Sequence, residues 1–372
     1  MRQLFVRSIL SAITTLALAG CSAPPATTAE PTSAPPRASL AAPSPSVLPT
    51  DCVCGTEPGC PPCPAPTATA TASASPTEVA QGTFPPKAFA PPHDRTKKPG
   101  DGEWKPLDVH RGSGSASPLY RAIVHPHKIR GDSVLELVAI DTQRVSMDLV
   151  MGTAEPEDSK FPAEKRPGIV PAAKLPDLIA ITNGGFKSRH GGHGVGAFGE
   201  AALAPTPEFC TFAKAKSGRY VIGTHAKLTS ELADGFQWFR QTPPCLIEDG
   251  VKHPDLSDEF KAKKWGRSED KKADIRRSAV GLGADGRTLY FAIGDWLTPE
   301  MLADGLAAAG ITRAAELDIN WSYTRFIVYE RSGSDLVATS PLLKELKAPK
   351  KEYVKEASER DFFTLMWAPP SK

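Results

Sequence analysis

The segment 278-SAVGLGADGRTLYFAIG-294 carries the strongest fold signal in this chain of 372 residues. Two arms of strand-forming sequence flank Asp285-Gly286, a dipeptide typical of tight β-hairpin turns. A helix is expected next, because Thr298 suits an N-cap, Pro299 the first helical position and Gly310 a stop. The segment therefore predicts an antiparallel hairpin followed by a packed helix.

Further strand-like runs surround this hairpin and helix. The helix itself has one apolar face, formed by Met301, Leu302, Leu306 and Ala309. Runs typical of buried strands cover residues 134–140, 145–151, 177–182, 219–224, 245–250, 314–317 and 361–368. Hairpin, helix and strand follow one another without a regular strand–helix–strand period, which argues against a doubly wound nucleotide fold. We therefore expect an α+β domain with a mixed, largely antiparallel sheet and packed helices.

The N-terminal part of the chain differs in composition from the rest. Residues 22–100 hold 19 of the 37 prolines, with Ala, Ser and Thr between them. Such a segment buries too little apolar surface to offset the entropy lost on ordering. We expect residues 21–107 to form a disordered Pro-rich tether, and residues 108–372 to form one large domain.

The first twenty residues resemble an export signal. Arg2 and Arg7 flank a short, basic n-region, and the apolar run 8–19 that follows is too short to span a bilayer stably. The run ends in 18-LAGC-21, which is similar to the lipobox of bacterial lipoproteins. That similarity implies a signal peptide over residues 1–20, a lipid on Cys21, and an extracytoplasmic protein held on a bacterial membrane, the outer membrane if Gram-negative. A plain secretory peptide is the alternative.

The remaining cysteines fall into two groups. Four lie close together in the tether, at Cys52, Cys54, Cys60 and Cys63. In an oxidising compartment this spacing favours two local disulfides over zinc, and the connectivity stays open. The domain itself contains only Cys210 and Cys245, which we expect to form a disulfide.

Charge and motif spacing argue against several classes of binding site. The net charge is +2, and basic and acidic residues alternate, as in 260–277, so the clean basic face of a nucleic-acid binder is missing. The stretch 194-GVGAFG-199 matches G-x-G-x-x-G, but Pro205 and Pro207 follow too soon for the helix of a dinucleotide site. No carboxylate joins His190 and His193 at metal-ligand spacing. We expect no nucleic acid, no cofactor and no metal.

Three blocks together resemble one family. They are 183-NGGF-186 after an apolar strand, 277-RSAVG-281 at the hairpin, and 317-LD-318 after the helix. Their order and strand context are similar to those of the phosphodiester glycosidase family, the family of the lysosomal enzyme that uncovers mannose 6-phosphate. The stretches 240-RQ-241 and 246-LIEDG-250 resemble a segment between the first two blocks. The similarity spans roughly residues 134–330.

The resemblance implies hydrolysis of a sugar-1-phosphodiester in envelope or exopolysaccharide glycans. It assigns Asp318 to activating water or supporting oxocarbenium charge, with Glu248 and His193 as weaker candidates. Arg240 and Arg277 would bind phosphate through their forked donors, and backbone N–H groups of 183–185 would add an anion site. The other implied substrate-binding positions are Asn183, Gly184, Gly185, Gln241, Ser322 and Thr324. The hairpin and helix would bring Arg277 and Asp318 to one sheet edge.

The third block departs from the family pattern. Where the family has three glycines after leucine-aspartate, this chain has Ile319, Asn320 and Trp321. If those glycines let a substrate approach the backbone, this site is narrower or differently shaped, which implies a different substrate or lost activity. The alternative is therefore an inactive glycan- or phosphate-binding lipoprotein of the same fold. Trp321 and Tyr323 can stack on a sugar ring or lie in the core.

Structural roles also stay open for three motif residues. Arg277 can pair with a carboxylate inside the fold. Asp318 can cap a turn after its strand, and Asn183 can hold a left-handed turn without touching a ligand.

Overall fold

A computed structural model describes residues 83–109, 116–333, 335–343 and 346–368. The expected signal peptide, the lipidation position Cys21 and the cysteine cluster at 52–63 lie outside these residues. The described ranges belong to one compact unit, Ser75–Lys372. Across the part of the chain that is described, no helix is both long enough and apolar enough to span a membrane.

Short strands dominate the described ranges. The strands are β1 (Lys105–Pro106), β2 (Leu119–Val124), β3 (Val134–Asp141), β4 (Val145–Val150), β5 (Leu178–Asn183), β6 (Val195–Ala197), β7 (Glu200–Leu203), β8 (Cys210–Ala215), β9 (Tyr220–Thr224), β10 (Phe236–Thr242), β11 (Ile247–Glu248), β12 (Val251–Lys252), β13 (Ile275–Gly283), β14 (Thr288–Leu297), β15 (Ile311–Glu316), β16 (Phe326–Ser332), β17 (Asp335–Thr339) and β18 (Phe362–Trp367). The α-helices are α1 (His225–Glu231) and α2 (Pro299–Ala308). Short 3-10 turns lie at Asp94–Thr96, Ala163–Lys165, Ala172–Asp177, Pro254–Ser257 and Lys261–Trp265.

The strands form three sheets. An eight-stranded sheet has the order β1-β2-β3-β14-β13-β15-β11-β12, and two five-stranded sheets have the orders β7-β6-β10-β8-β9 and β17-β16-β5-β18-β4. Every neighbouring pair of these strands is antiparallel. The predicted α+β class with largely antiparallel pairing is confirmed, and the pairing is spread over three sheets.

Both faces of the eight-stranded sheet are buried. Side chains alternate between the faces of a strand, so β3 sends Leu135 and Leu137 into one core cluster and Val138 and Ile140 into another. The first cluster lies under α2, whose Leu302 and Leu306 are buried in it. The second cluster is shared with the two smaller sheets. The eight-stranded sheet therefore forms the central layer of the domain.

The predicted hairpin and helix are both present. The β13–β14 turn is closed by a 3.0 Å hydrogen bond from the Gly286 N–H to the Gly283 carbonyl. Thr298 caps α2, because its hydroxyl accepts the Met301 N–H at 3.2 Å. Gly310 follows the helix at φ 77°, a conformation that favours glycine.

The packed domain begins earlier than the composition indicated. Residues 83–107 were assigned to the tether, yet Phe84, Phe89 and Trp104 pack against the cluster under α2. β1 pairs with β2, and Asp101 lies 2.8 Å from the His125 ring nitrogen. Three aromatic side chains give this proline-containing segment the apolar surface that it needs to pack.

Two further sequence features have simple structural explanations. The predicted Cys210–Cys245 disulfide is present and joins β8 to the segment before β11. The G-x-G-x-x-G stretch covers β6 and the turn of the β6–β7 hairpin, with Phe198 at φ 58° and Gly199 at φ 78° in that turn. Two successive positive φ angles are typical of a tight hairpin turn. No helix follows, so the stretch has no dinucleotide-binding geometry.

Candidate functional site

An open cleft of about 1230 Å³ gathers residues from distant parts of the chain. Its walls come from the turn after β5, the loop that leads into β13, the end of β14 and the segment after β15. Of the acidic residues that line it, Asp318 alone is buried. A buried carboxylate in a solvent-open cleft is a typical active-site feature.

Asp318 is held by one charged and one neutral donor. Its Oδ2 accepts a hydrogen bond from Arg360 Nη2, and its Oδ1 accepts the Asn320 N–H at 2.6 Å. Burial raises the pKa of Asp318 above its ordinary value, and the neighbouring Arg360 opposes that rise. The Asp318 carboxylate also caps its own turn by accepting the Asn320 N–H. The same side chain therefore holds the turn and lines the cleft.

Arg360 is the cleft residue that the sequence motifs did not reveal. Its Nη2 also donates to the Gly185 carbonyl at 3.1 Å, and its guanidinium lies 3.9 Å from the centre of the Tyr323 ring. Nε is buried without a partner, and Nη1 has no protein acceptor in the described part of the chain. The cation therefore keeps N–H groups that no described residue uses.

Arg240 is occupied by the fold rather than open to a ligand. Only 3% of its surface is exposed, and its Nε donates to Asp361 Oδ2 at 2.9 Å. Nη1 donates to the His193 carbonyl at 3.0 Å, and Nη2 donates to the Phe186 carbonyl. Arg240 therefore does not bind phosphate as the motifs implied, because these protein acceptors already take its N–H groups.

The glycines of 183-NGGF-186 are required by this same ion pair. A Cβ on Gly184 would lie 2.3 Å from the Asp361 carbonyl oxygen, and one on Gly185 would lie 2.6 Å from Arg240 Nε. Both backbone N–H groups are also used, since they donate to Asp361 at 3.1 Å. The expected anion-binding nest at Gly184 and Gly185 is therefore wrong.

Asn183 and Gln241 are likewise structural. Asn183 is fully buried, and its Nδ2 donates to Ser278 Oγ at 2.9 Å, while that hydroxyl donates to the Asp318 carbonyl at 2.7 Å. Gln241 is fully buried and accepts the Thr206 N–H at 2.7 Å. Neither side chain lines the cleft, so neither is a substrate contact. Asn183 acts instead through Ser278 to fix the backbone of Asp318.

Arg277 forms a structural ion pair and not a phosphate site. Its Nη1 donates to Glu316 Oε1 at 2.7 Å, and neither side chain has exposed surface. The other N–H groups donate to the carbonyls of Leu297, Trp265, Gly266 and Ala273. Burial raises the pKa of Glu316 to about 7, and Arg277 opposes the rise. Arg277 fixes the loop that lines the cleft, but no donor remains for a ligand beside Asp318.

Glu248 and His193 have different surroundings. Glu248 accepts the Thr224 N–H and hydroxyl, each at 2.8 Å, and does not line the cleft, so its expected catalytic role is corrected. His193 does line the cleft, with its ring centre 5.4 Å from that of Phe186 and 4.7 Å from that of Phe209. Burial, with Arg240, lowers the pKa of His193 to about 3. The imidazole is therefore neutral at physiological pH.

The third motif block divides between surface, cleft and core. Ser322 is exposed and bonds Asn320, and Thr324 is buried; neither lines the cleft, which corrects their expected substrate contacts. Trp321 is 75% exposed and lines the cleft. Tyr323 is buried beneath Arg360. Among the described residues, no three His, Cys, Asp or Glu side chains converge as metal ligands.

Fold and cleft together define an antiparallel α+β protein with a buried carboxylate–guanidinium pair in an open cleft. No family model matches the chain, and no curated protein matches it. Several solved structures show distant similarity, among them the following three.

The catalytic domain of zebrafish N-acetylglucosamine-1-phosphodiester alpha-N-acetylglucosaminidase, auto-inhibited by its pro-peptide, has a TM-score of 0.43 and 14% identity, over 72% of this chain and 88% of that one. A hypothetical protein from Synechocystis has a TM-score of 0.40 and 13% identity, over 67% and 62%. A protein of Burkholderia pseudomallei K96243, named only as an exported protein, has a TM-score of 0.36 and 13% identity, over 63% and 74%. Similarities this distant assign neither a family nor an activity to the chain.

Proposed function

We propose that this chain hydrolyses the bond between the sugar C1 and the phosphate oxygen of a sugar-1-phosphodiester in envelope or exopolysaccharide glycans. The observation that carries the proposal is the Asp318–Arg360 pair, buried yet lining an open cleft. Carboxylates with a perturbed pKa and a cationic partner in a cleft are typical of catalytic sites. The reaction type comes from the ordered resemblance of the three motif blocks.

In this proposal Asp318 acts at the sugar carbon. Its ionised form accepts a proton from the attacking water, or stabilises positive charge that develops at C1. The C1–O bond to phosphate breaks, a C1–OH bond forms, and the phosphate monoester leaves. Because a phosphate monoester is a weak base, its departure needs little help from a general acid.

Arg360 takes the phosphate role that the motifs assigned to Arg240 and Arg277. Its Nη1 has no acceptor in the described residues, and an anionic phosphate oxygen would supply one. Lys187 also lines the cleft and is half-buried. These two cations would hold the diester next to Asp318.

We further propose that the protein works outside the cytoplasm, tethered by a lipid on Cys21. The Cys210–Cys245 disulfide supports an oxidising compartment, where such bonds persist. Globomycin treatment of expressing cells tests the anchor, because it blocks lipoprotein signal cleavage. The proposal expects globomycin to leave a larger form of the chain that keeps residues 1–20, and it expects Cys21→Ser to carry no lipid label; an unchanged mass under globomycin, or lipid label on Cys21→Ser, contradicts it.

The reaction is tested with methyl phosphodiesters of C1-phosphorylated hexoses and N-acetylhexosamines, in both anomeric forms, in ¹⁸O-labelled water. The proposal expects the label in the released sugar, since water attacks C1. Label in methyl phosphate would identify a phosphodiesterase instead. No release across the panel, with binding retained, would favour the second candidate.

That second candidate is a glycan- or phosphate-binding protein without turnover. The observation that favours it is the engagement of both Asp318 oxygens, by Arg360 and by the Asn320 N–H. Most glycosidases also use two carboxylates, and the cleft has one buried acid. Calorimetric binding of the same diesters, measured beside turnover, separates the two functions.

A further inference from the structure

Two exposed tryptophans line the same cleft as Asp318. Trp296 is 51% exposed and Trp321 is 75% exposed, and both contribute to the cleft wall. Large aromatic side chains are normally buried, so two of them open to solvent in one cleft need a physical reason. Trp321 also occupies a position where the resembled family has glycine.

The backbone conformation that places Trp296 in the cleft is energetically unfavourable. Its φ is 59°, in the left-handed region that a bulky residue rarely adopts. The β13–β14 register shifts here, because Arg276 alone lies opposite Asp295 and Trp296. Such bulges redirect a side chain and are common beside functional sites. The strained bulge turns this indole toward the cleft, and strain of this kind persists where surrounding structure enforces it.

One guanidinium joins the two segments that carry the indoles. Asp295 is the residue before Trp296. Arg276 donates hydrogen bonds to both of its carboxylate oxygens, from Nε at 2.6 Å and from Nη2 at 2.7 Å. Its Nη1 donates to the Trp321 carbonyl at 3.1 Å. Arg276 thus links the two segments that carry the indoles, and segments held in place before binding lose less entropy when a ligand binds.

The surroundings favour a hydroxyl-rich ligand over an apolar partner. Half of the lining residues are charged, and Asn320 and Ser268 add neutral polar groups. An apolar protein surface laid on this cleft would remove those charges from water without pairing them. A sugar ring satisfies both features, because its C–H face packs on an indole and its hydroxyls bond the polar groups.

We infer that Trp296 and Trp321 form a carbohydrate-binding subsite for neutral sugar units next to the phosphate-binding position. The inference rests on the proposed function for the identity of the neighbouring position. It extends that function by its substrate class: a glycan chain of several sugars rather than a small sugar phosphodiester. The subsite binds neutral sugar whether or not Asp318 turns substrate over.

The test measures binding of neutral hexasaccharides of glucose, mannose, galactose and N-acetylglucosamine to the full chain by calorimetry. Glucose 1-phosphate serves as the anionic probe. Trp296→Gly removes one indole and relieves the positive φ, and Trp321→Ala removes the other. Phe198→Gly is the matched control, because Phe198 is also exposed and at positive φ but lies outside the cleft.

We expect at least one hexasaccharide to bind wild type, and each tryptophan variant to bind it about tenfold more weakly. Phe198→Gly should bind it as wild type does, and glucose 1-phosphate should bind all variants alike. The inference is overturned if no hexasaccharide binds, if the double tryptophan variant binds as tightly as wild type, or if the substitutions instead dissociate a dimer in sedimentation.

The two proposals fail separately. Hexasaccharide binding without hydrolysis of any phosphodiester removes the enzymatic function and leaves the subsite. Hydrolysis with unchanged kinetics in the double tryptophan variant, and no hexasaccharide binding, removes the subsite and leaves the enzyme.

Discussion

Arg277 Nη1 lies 2.7 Å from Glu316 Oε1, and both side chains are completely buried. The arginine of the 277-RSAVG-281 block therefore belongs to the interior, where it holds the carbonyls of the loop that lines the cleft. A buried guanidinium with an acceptor for every N–H cannot exchange them for substrate without unfolding that loop. Its contribution to function is the shape of the cleft wall.

Arg277→Lys should consequently destabilise the fold. An ammonium group has three donors against five acceptors, so buried carbonyls would lose their partners. We expect the free energy of unfolding to fall by about 2–4 kcal/mol in urea titrations. Arg313→Lys, at a partly exposed pair with Asp249, is the control and should cost below about 1 kcal/mol. A stable Arg277→Lys chain with weakened sugar-phosphate binding would contradict the structural role.

Gly184→Ala should be more damaging than an ordinary glycine substitution. The new methyl group would meet the Asp361 carbonyl oxygen at 2.3 Å, and Asp361 anchors Arg240. Overpacking of this kind costs about 1–3 kcal/mol. Gly131→Ala is the control, since its nearest neighbour is Lys98 Cε at 3.5 Å. Equal melting temperatures for the two variants would show that the turn tolerates a side chain.

His193 should make the protein less stable in mild acid. Its pKa in the fold is about 3, against about 6.5 when unfolded. Between these values only the unfolded chain binds the proton, so stability falls as pH falls, by at most about 1.4 kcal/mol per pH unit. Urea titrations from pH 6.5 to 4.5 should show a shallower loss for His193→Gln. His190→Gln, an exposed control, should follow wild type; parallel curves for all three would refute the assignment.

Arg360→Gln should alter both binding and the pH profile of turnover. Loss of the guanidinium removes a charged hydrogen-bond donor to the substrate phosphate, so KM for the diester should rise about tenfold. It also removes the charge that lowers the pKa of Asp318, so the acid limb of the pH–rate profile should move to higher pH. Arg360→Lys should restore the limb toward wild type. A purely structural arginine would change stability and leave the limb in place.

The fold class was accessible from sequence because its signals are local. The Asp285-Gly286 turn, the Thr298 cap and the Gly310 stop each act within a few residues. The site was harder to predict from sequence, because Asp318 and Arg360 are brought together only by the pairing of distant strands. β18 pairs with β5, with Phe362 opposite Asn183, and this brings Arg360 to Asp318.

The two motif arginines show the same limit of prediction from sequence. Motif position indicated that Arg240 and Arg277 matter, but not which carboxylate each meets. Asp361 and Glu316 lie outside the motif blocks, so the pairs Arg240–Asp361 and Arg277–Glu316 could not be foreseen. The bulge at Trp296 was equally hidden, because it depends on the register between β13 and β14.

The most direct test of the central claim is the turnover of Asp318→Asn with the methyl sugar phosphodiester that wild type cleaves best. The substitution keeps the size of the side chain and the Asn320 hydrogen bond but removes the charge. We predict a loss in kcat of at least about 100-fold, with binding of glucose 1-phosphate retained. Asp132→Asn, an exposed acid of the same cleft, should keep wild-type kcat. A folded Asp318→Asn chain with wild-type kcat would contradict the account.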